Sequence, residues 1–581
     1  MKIPFRDYWD VLSVYVKPRK ILFAGTSLFL LSGIGLQILN PQIMRGVIDG
    51  ASSGKPLETL AASALLFIVL ALAQQVVSVT AVWLGENLAW QATNDLRRDL
   101  AAHCLRLDMG FHTVTPPGDM IQRIDGDVAE FSGFFSQMVV RVAGNAILLC
   151  GILVVLIREN ALLGLVFCAF AAVTLAALYA VRGIAVGPHK ELREANTELA
   201  GFIEERLSGT EDIRSSGAEG WVLRGLYRIQ RLILVRWRKA SLREVVIRFV
   251  VGFLMSIGFS IAFLGGFSLY RGGAITVGTV FLILNYTSIL NRPIRELVQQ
   301  VQNLQNVGAS VARIRDLKAL DPEARGGNGT VPDRGPLAVG FDGVTFSYKK
   351  GEPVLRDLSF SLGTGKILGF LGRTGSGKST VARLLFRLYA PEEGRILLSG
   401  SDAATLPLPL LRRRVGMVTQ EVQLFQATVR DNITFFDASV PDGAIREAIR
   451  ALGLEEWLAR LPDGLDTDLR TAGRGLSAGE GQLLAFTRIF LRDPGLVILD
   501  EASSRLDPAT EQLIERAVDR LLAGRTALII AHRLATVERA DDILILEQGR
   551  VLEYGARASL AADPDSRFSH LLRRGMEEVL A

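Results

Sequence analysis

Cysteine is scarce in this sequence, and no two cysteines have the spacing of a metal or redox pair. The chain has 581 residues but only three cysteines, Cys104, Cys150 and Cys168. An odd number of cysteines without CxxC spacing argues against a disulfide framework and against a thiolate metal site. We expect all three to be small buried apolar residues.

A dense cluster of one charge sign is also missing. The 65 Lys and Arg residues outnumber the 60 Asp and Glu residues by five, and the pI is about 9.1. A nucleic-acid-binding protein would concentrate its basic residues in one patch, whereas here they are dispersed and many flank apolar runs. We therefore expect no nucleic-acid partner.

The N-terminus lacks the features of a cleaved signal peptide. The first twenty residues, MKIPFRDYWDVLSVYVKPRK, are too polar and too aromatic for that role. Lys17, Arg19 and Lys20 directly precede the first long apolar run. We expect residues 1–20 to form an amphipathic segment on a membrane surface.

Long apolar runs, by contrast, are abundant in the first half of the chain. Apolar residues make up 49% of the sequence, and the mean hydropathy is +0.29. A helix needs about 20 apolar residues to cross a bilayer. Six runs reach or approach that length: 21–46, 60–84, 136–157, 161–181, 248–270 and 274–291. A buried core helix would explain any one run, but not all of them together.

The loops between these runs alternate in length and charge. Those after the first, third and fifth runs are short, whereas those after the second and fourth are long and basic. Basic loops stay in the cytoplasm, which predicts a multi-pass protein of the cytoplasmic membrane with both termini inside the cell. Turn residues at 111–128 and 205–219 predict short helices that touch another domain, and residues 320–336 are the expected linker.

Residues 372–379, GRTGSGKS, fit the phosphate-loop pattern GxxxxGK[ST] between an apolar strand-like run and a helical pattern. Glycine lets backbone N–H groups turn towards phosphate oxygens, and the N-terminus of the following helix adds positive potential. Lys378 is expected to reach the β and γ phosphates, and the Ser379 hydroxyl to bind Mg²⁺. A glycine-rich turn without a ligand is the alternative for this motif taken alone.

Two carboxylates follow a buried strand further along the chain. The run GLVILDEAS contains Asp500 and Glu501 at the strand end, where α/β sheets bind ligands. Asp500 is placed to hold the water shell of a metal ion, and Glu501 to orient or deprotonate an attacking water. A surface acid pair after a strand is the alternative.

Three further residues are ambiguous when taken singly. His532 follows the apolar strand ALIIA and could touch a γ phosphate, although strand-end histidines are more often structural. Tyr348 could stack on a base or belong to the core, and Gln420 lies at a strand end.

The stretch LSAGEGQ, residues 476–482, precedes another apolar run. Ser477 and Glu480 have the spacing of a capping box, so we expect a helix to begin there. A helix N-terminus built from small residues also suits a phosphate group.

In this order, the motifs resemble those of an ATP-binding cassette (ABC) exporter half-transporter of the multidrug and lipid exporter type. The resemblance covers essentially the whole chain. It implies an all-α six-helix transmembrane domain at 21–319 and an α/β P-loop nucleotide-binding domain at 337–581.

The resemblance also assigns roles to particular residues. It implies ATP contacts for Tyr348, Gly372, Arg373, Thr374, Gly375, Ser376, Gly377, Lys378, Ser379, Thr380 and Gln420. It implies Mg²⁺ contacts for Ser379, Gln420 and Asp500. Glu501 matches the catalytic glutamate, His532 the switch histidine and Asp507 the D-loop. Ser477, Ala478, Gly479 and Glu480 match the signature, which contacts the ATP of the partner subunit.

A complete ATP site in this family lies between two nucleotide-binding domains, so the resemblance implies a dimer. Two departures from the usual pattern favour a heterodimer over a homodimer. Thr471 replaces a common glutamate, and the signature reads LSAGEGQ instead of LSGGQRQ. Some heterodimeric members combine an altered signature with an intact catalytic glutamate and switch histidine in one subunit. Glu480 also adds negative charge near the phosphate, so we expect weaker closure at the site this signature completes.

The implied function is ATP-driven export, or leaflet flipping, of a small amphipathic or lipid-like substrate by alternating access, with ATP and Mg²⁺ as cofactors. The low charge of the membrane runs favours such a substrate over a strongly ionic one. An ATP-gated channel or a regulatory membrane subunit is the alternative, against which Glu501 and His532 argue. A soluble cassette ATPase is disfavoured by the apolar runs.

Overall fold

The computed structural model describes residues 13–130, 142–322, 327–349, 351–420, 422–469, 476–500, 508–531 and 537–574. The chain divides into two compact units. The first comprises Met1–Leu105 and Pro117–Asp321, and the second comprises Arg106–Pro116 and Pro322–Ala581.

The first unit is helical throughout its described residues. In chain order the helices are α1 (Lys20–Ser52), α2 (Leu57–Cys104), α3 (Met109–Val114), α4 (Pro117–Ile121), α5 (Gly144–Glu159), α6 (Ala161–Val181), α7 (Val186–Ser208), α8 (Thr210–Ser215), α9 (Glu219–Arg271) and α10 (Val277–Lys318). Of these, α3 belongs to the second unit.

Four helices of the described chain are long and apolar enough to cross a membrane: Ser13–Ser52, Leu57–Cys104, Ala161–Val181 and Glu219–Arg271. They contain the predicted runs 21–46, 60–84, 161–181 and 248–270. The run 136–157 begins among residues outside the described part and continues into α5. The run 274–291 corresponds to the first half of α10, which is less apolar than those four helices. The most apolar windows of α1 and α2 bury only 11% and 6% of their residues within the single chain, so most of their apolar surface is available to lipid or to another protein surface.

Buried apolar side chains of α5, α6 and α10 form the core of this unit. Ile152, Phe167, Tyr286 and Leu290 are almost completely buried there. The prediction that the cysteines are buried is confirmed for Cys104, whereas Cys168 is only partly buried and Cys150 is exposed. Cys150 lies on an apolar helix, where an exposed face suits lipid as well as a protein neighbour.

The described part of the N-terminal segment is tied to α2 and to the end of α10. The Tyr15 hydroxyl donates to Asp99 (3.0 Å) and accepts from the Lys318 ammonium (2.7 Å). Arg19 pairs with Asp95 at 2.5 Å.

The short helices predicted in the long loops are present. The segment 111–128 contains α4 and the end of α3, and the segment 205–219 contains α8. Residues Arg106–Pro116 pack with the second unit, where the Thr113 hydroxyl lies 3.0 Å from the Tyr389 hydroxyl.

The second unit combines two β-sheets with helices. Its strands are β1 (Val339–Ser347), β2 (Pro353–Leu362), β3 (Ile367–Leu371), β4 (Glu393–Leu398), β5 (Ser401–Asp402), β6 (Val415–Val418), β7 (Leu496–Asp500), β8 (Thr526–Ile530), β9 (Asp542–Glu547) and β10 (Arg550–Ala556). Its further helices are α11 (Lys378–Leu385), α12 (Leu408–Arg414), α13 (Val429–Thr434), α14 (Asp442–Leu452), α15 (Glu455–Ala459), α16 (Ala478–Arg492), α17 (Pro508–Leu522), α18 (Arg557–Ala562) and α19 (Arg567–Arg574).

The strand order places parallel strands at the centre of this unit. One sheet has the order β10-β9-β3-β8-β7-β6, and all of its described neighbours are parallel except β10 and β9. The other sheet, β2-β1-β4-β5, is antiparallel. Strands β7 and β8 are almost wholly buried, as expected for parallel strands covered on both faces. The predicted combination of an apolar helical part with an α/β part is confirmed.

Candidate nucleotide site

Three neighbouring strands end beside one another at the edge of the parallel sheet. The predicted phosphate loop, residues 372–377, follows β3, and Asp500 is the last residue of β7. Between them lies β8, which ends at Ile530, two residues before His532 in the chain. Carboxyl ends of parallel strands share one edge of a sheet, which is where such folds bind ligands.

The shape of the phosphate loop depends on glycine at two positions. Gly372 has φ +147°, and a Cβ there would collide with the Leu546 carbonyl oxygen. Gly377 caps α11 at φ +107°, and a Cβ there would lie 2.6 Å from Leu355 Cδ2. Side chains other than hydrogen are therefore excluded by both backbone conformation and space.

Lys378 lies inside this loop. Its side chain is 6% exposed, and its ammonium donates to the carbonyl oxygens of Gly372 (2.5 Å) and Arg373 (3.0 Å). Burial lowers the pKa of Lys378, and the nearby Asp500 carboxylate opposes that shift. The folded chain therefore brings together the lysine of the loop and the aspartate of the strand end, as their order in the sequence predicted.

A triphosphate fits the polar groups of the loop. The Ser376 hydroxyl is buried and has no hydrogen-bond partner among the described residues, a situation that costs free energy unless a ligand supplies one. Ser379 and Thr380 lie in the first turn of α11, where backbone N–H groups lack partners within the helix. Phosphate oxygens would satisfy both sets of donors. A magnesium ion prefers oxygen ligands, which the Ser379 hydroxyl and the Asp500 carboxylate could supply.

Tyr348 presents a fixed and partly open aromatic ring. Tyr348 is 40% exposed, and its ring meets the Phe346 ring edge-on, with 4.9 Å between the ring centroids. Its hydroxyl lies 3.2 Å from the Thr380 hydroxyl and accepts from Arg383 at 3.1 Å. These bonds hold the ring beside α11, so its exposed face can stack on a planar base. Sequence reasoning missed Arg383, since a single arginine inside a helix carries no motif.

Gln420 is exposed just after β6 and next to an apolar groove of about 450 Å³. Phe425, Phe435 and Arg488 line part of the groove. The Arg488 guanidinium lies 4.7 Å from the Phe435 ring and donates to the Asn432 carbonyl at 2.6 Å. Burial, together with Arg492, lowers the pKa of Arg488 to about 10. Sequence reasoning missed this groove, because its residues come from separate segments.

The predicted capping box at the signature is confirmed. The Ser477 hydroxyl accepts from the Glu480 N–H (3.3 Å), and the Glu480 carboxylate accepts from the Ser477 N–H (2.8 Å). Ser477 and Ala478 are exposed and Gly479 is buried at the start of α16. The Glu480 carboxylate thus folds back onto its own helix end.

Several predicted residues cannot be placed. Thr471, Glu501, Asp507 and His532 lie outside the described residues. Their roles stay predictions.

A helical membrane unit joined to a P-loop α/β unit defines a nucleotide-driven membrane protein, and comparison with known proteins names the class. Residues 22–294 match the family model of the ABC transporter transmembrane region, and residues 355–504 match the family model described as ABC transporter. The chain therefore belongs to the ABC transporter family.

Relatives match along nearly their whole length. The chain is 30% identical to the uncharacterised ABC transporter ATP-binding protein YfiC of Bacillus subtilis, over 94% of this chain and 91% of that protein. It is 31% identical to an ATP-dependent lipid A-core flippase of Pseudomonas fluorescens, over 100% and 97%. A bacterial Atm1-family ABC exporter with ATP bound has the same fold, with a TM-score of 0.79 and 25% identity over 96% and 98% of the two chains. The protein is thus an ATP-hydrolysing, multi-pass membrane transporter of the exporter kind, and such half-transporters work as dimers.

Replacing Gly377 by Ala should distort the phosphate loop and leave the β-sheet unchanged. The new methyl group meets both a disfavoured φ and Leu355, so we expect affinity for a fluorescent ATP analogue to fall by at least about tenfold. Gly363→Ala is the matched control, because a Cβ there meets nothing closer than 3.9 Å. Equal binding by both variants, each with a wild-type circular dichroism spectrum, would show that the loop is not the nucleotide site.

Proposed function

We propose that this chain is the catalytically competent half of a dimeric exporter or flippase that moves an anionic amphipathic substrate across the cytoplasmic membrane. The observation that carries the proposal is the phosphate loop, with its buried and unpartnered Ser376 hydroxyl and its enclosed Lys378. Domain bounds of 21–319 and 337–581, with both termini in the cytoplasm, are part of this proposal, and the basic long loops support that orientation.

Within the site, Lys378 and the first turn of α11 hold the phosphates, and Tyr348 stacks on the adenine. Ser379, Gln420 and Asp500 hold Mg²⁺, which neutralises phosphate charge when bound. Glu501 orients the attacking water, and His532 contacts the γ phosphate. The nearness of Lys378 to Asp500 supports the placing of phosphate and metal on the same strand edge.

Glu501→Gln should abolish ATP turnover without abolishing ATP binding. The amide keeps the size of the carboxylate but cannot accept a proton, so we expect ATP hydrolysis to fall by about 10²-fold or more while ATP binding persists. The measurements are phosphate release and equilibrium binding of ATP, with Glu511→Gln on α17 as a control of the same chemistry away from the strand edge. Unchanged hydrolysis in Glu501→Gln would contradict the assigned role.

The partner is proposed to be a different half-transporter. In the capping box the Glu480 carboxylate satisfies the Ser477 N–H, so the helix start is intact despite the altered signature. The carboxylate nevertheless brings negative charge to a helix end that would meet a phosphate, which weakens closure at that site. Two ATP sites of unequal strength follow, and a heterodimer is the arrangement that provides them.

The chain purified alone should therefore hydrolyse ATP slowly and dimerise weakly. Glu480→Gln removes the charge and keeps the hydrogen bond to the Ser477 N–H, so we expect it to strengthen ATP-dependent dimerisation several-fold. Size-exclusion chromatography with light scattering and ATPase assays measure both quantities. Full activity of the unmodified chain without a partner would rule out the obligate heterodimer.

The substrate class is inferred from polar residues of α10 that follow the apolar run 274–291. The Arg292 guanidinium donates to Glu296 (2.8 Å), whose other carboxylate oxygen accepts from Asn145 on α5 (2.6 Å). Arg292 directly follows the apolar run 274–291 and lies 15 residues after Val277, about 22 Å along the helix.

The Arg292 side chain is 78% exposed in the single chain. A charged group at the end of an apolar run faces the membrane interface, a water-filled path or another protein surface, since facing lipid is costly. With Arg295 the cluster has a net positive charge, which suits an anionic headgroup. Relatives named as a lipid A-core flippase and a fatty acid transporter point to the same class.

Arg292→Ala should abolish stimulation of ATP hydrolysis by an anionic amphipath. We expect oleate to stimulate the wild-type dimer more than neutral monoolein does, and Arg292→Ala to remove at least half of that difference. Arg248→Ala is the matched control, because Arg248 also pairs with a glutamate one helical turn away and is 65% exposed. Equal oleate stimulation of the wild type and Arg292→Ala would contradict the proposal.

A further inference from the structure

An apolar groove of about 510 Å³ lies between α6 and α9 in the membrane unit. Four residues between positions 160 and 166 line one side, and seven residues of α9 between positions 257 and 269 line the other. Leu162 and Leu264 on its walls are 73% and 66% exposed in the single chain. A concave apolar surface on two membrane helices is suited to an apolar occupant.

Two glycines of α9 determine how the helices pack beneath the groove. A Cβ on Gly265 would lie 2.9 Å from Leu163 Cδ1, and a Cβ on Gly258 would lie 2.6 Å from Phe170 Cζ. Small residues let membrane helices approach closely in this way. The two contacts are seven residues apart on each helix and in opposite chain directions, so α6 and α9 run antiparallel in a fixed register.

This register gives the groove a polar end. Asn160, three residues before Leu163, is level with Ser268, three residues after Gly265. This end therefore lies beside the short loops at residue 160 and at 272–276, where α6 begins and α9 ends. The Asn160 Oδ1 accepts from the Leu163 N–H (3.0 Å), and its amide N–H groups have no acceptor among the described residues.

The same end carries an uncompensated positive charge. Arg271 lies on the groove face of α9, because it follows Leu264 by seven residues and Ser268 by three. Its side chain is exposed and has no acidic partner in the part of the chain that the structure describes. Glu159, beside the loop at residue 160, is paired with Arg45 at 2.6 Å. An anion that reaches this end would therefore meet a cation and amide donors.

Between its ends the groove is apolar and about as long as one leaflet. Ser260 lies at mid-length, and its hydroxyl donates to the Ser256 carbonyl oxygen (2.9 Å), so it offers no free donor. The lining of α9 runs from Ile257 to Leu269, about 18 Å along the helix. One leaflet is half of a hydrocarbon layer of about 30 Å, or about 15 Å. The groove therefore combines the length of an acyl chain region with a cationic end.

A phospholipid has the same arrangement of parts. We propose that the groove holds one anionic phospholipid of the surrounding bilayer, with an acyl chain between α6 and α9 and its phosphate at Arg271 and Asn160. An anionic headgroup is favoured over a zwitterionic one, because the latter brings its own cation to Arg271. This lipid is a resident of the groove and is distinct from the transported substrate, for which Arg292 on α10 is the proposed contact.

Native mass spectrometry of the full-length chain, released from nanodiscs of equimolar phosphatidylglycerol and phosphatidylcholine, tests the headgroup preference. After loosely bound lipid has been removed by collisional activation, we expect one retained lipid per chain. One interfacial cation should favour phosphatidylglycerol about fivefold. Arg271→Gln should keep a retained lipid but lose the preference. Equal retention of the two lipids by the wild type would overturn the proposal.

Ser260→Phe should displace the lipid, because the ring fills the middle of the groove. Ser256→Phe is the matched control: each of the two serine hydroxyls donates to the carbonyl oxygen four residues earlier, and Ser256 does not line the groove. Phosphatidylglycerol should raise the melting temperature of the wild type and of Ser256→Phe but not of Ser260→Phe. A folded Ser260→Phe variant that retains lipid at the wild-type level would contradict the proposal.

A fluorescent label distinguishes lipid from a protein surface as the occupant. In a background with Cys104, Cys150 and Cys168 replaced by Ser, a bimane label at Leu264→Cys is compared with one at Leu165→Cys. Leu165 is also on α6 and 62% exposed but does not line the groove. Nitroxide-labelled phosphatidylglycerol should quench the label at 264 more than nitroxide-labelled phosphatidylcholine does, and the two lipids should quench the label at 165 equally. No quenching at 264 by either lipid would show that a protein surface covers the groove and would overturn the proposal.

The resident lipid and the transported substrate can be told apart. Arg292→Ala should retain phosphatidylglycerol as the wild type does, whether or not the substrate proposal for Arg292 holds. Loss of the retained lipid in Arg292→Ala would show that it is bound as substrate, which would overturn a resident lipid in the groove.

Discussion

The backbone of the phosphate loop can follow its path because residues 372 and 377 have no Cβ. Any other side chain at these positions would strike the Leu546 carbonyl or Leu355. This path buries Lys378 among loop carbonyls and leaves the Ser376 hydroxyl without a partner. Both features are costly in a protein without a ligand, and both become favourable when phosphate oxygens arrive. ATP binding depends on this difference in free energy between the empty and the phosphate-bound loop, and ATP is what drives the transporter.

A contrasting constraint shapes the membrane unit. Backbone groups in hydrocarbon must pair within their own segment, so the chain crosses as helices whose apolar surfaces stay largely exposed. Apolar contact alone cannot order such helices, because lipid is as good a neighbour as leucine. Specificity comes instead from a few polar groups. Tyr286 fixes α1 against α10, and Glu296 fixes α10 against α5.

Sequence reasoning predicted the parts of the structure that depend on short-range patterns. The order of apolar strand, glycine loop and helix fixes Lys378 beside the edge where Asp500 emerges, and the Ser477–Glu480 spacing determines a capping box by itself. Contacts between distant segments left no such pattern. Arg383 on Tyr348, and Asp49 on Gly278, depend on helix approach and rotation, which many unrelated pairs of residues share. The exposed Cys150 was mispredicted for a similar reason, because hydropathy does not distinguish a helix face towards protein from one towards lipid.

Charge is used in two ways along α10. At its start, the Asp49 carboxylate neutralises the helix end and is itself held by Arg45, so the charges there satisfy one another. Further along, Arg292 and Arg295 outnumber Glu296, and that excess cannot face lipid at low cost. The balanced cluster stabilises a contact between helices, whereas the unbalanced one suits a group that arrives from outside the chain. Helix α10 then leads through Lys318 to the linker and the nucleotide unit, so one continuous helix carries both clusters and the connection to the ATPase. A rotation or shift of that helix would therefore alter both clusters together.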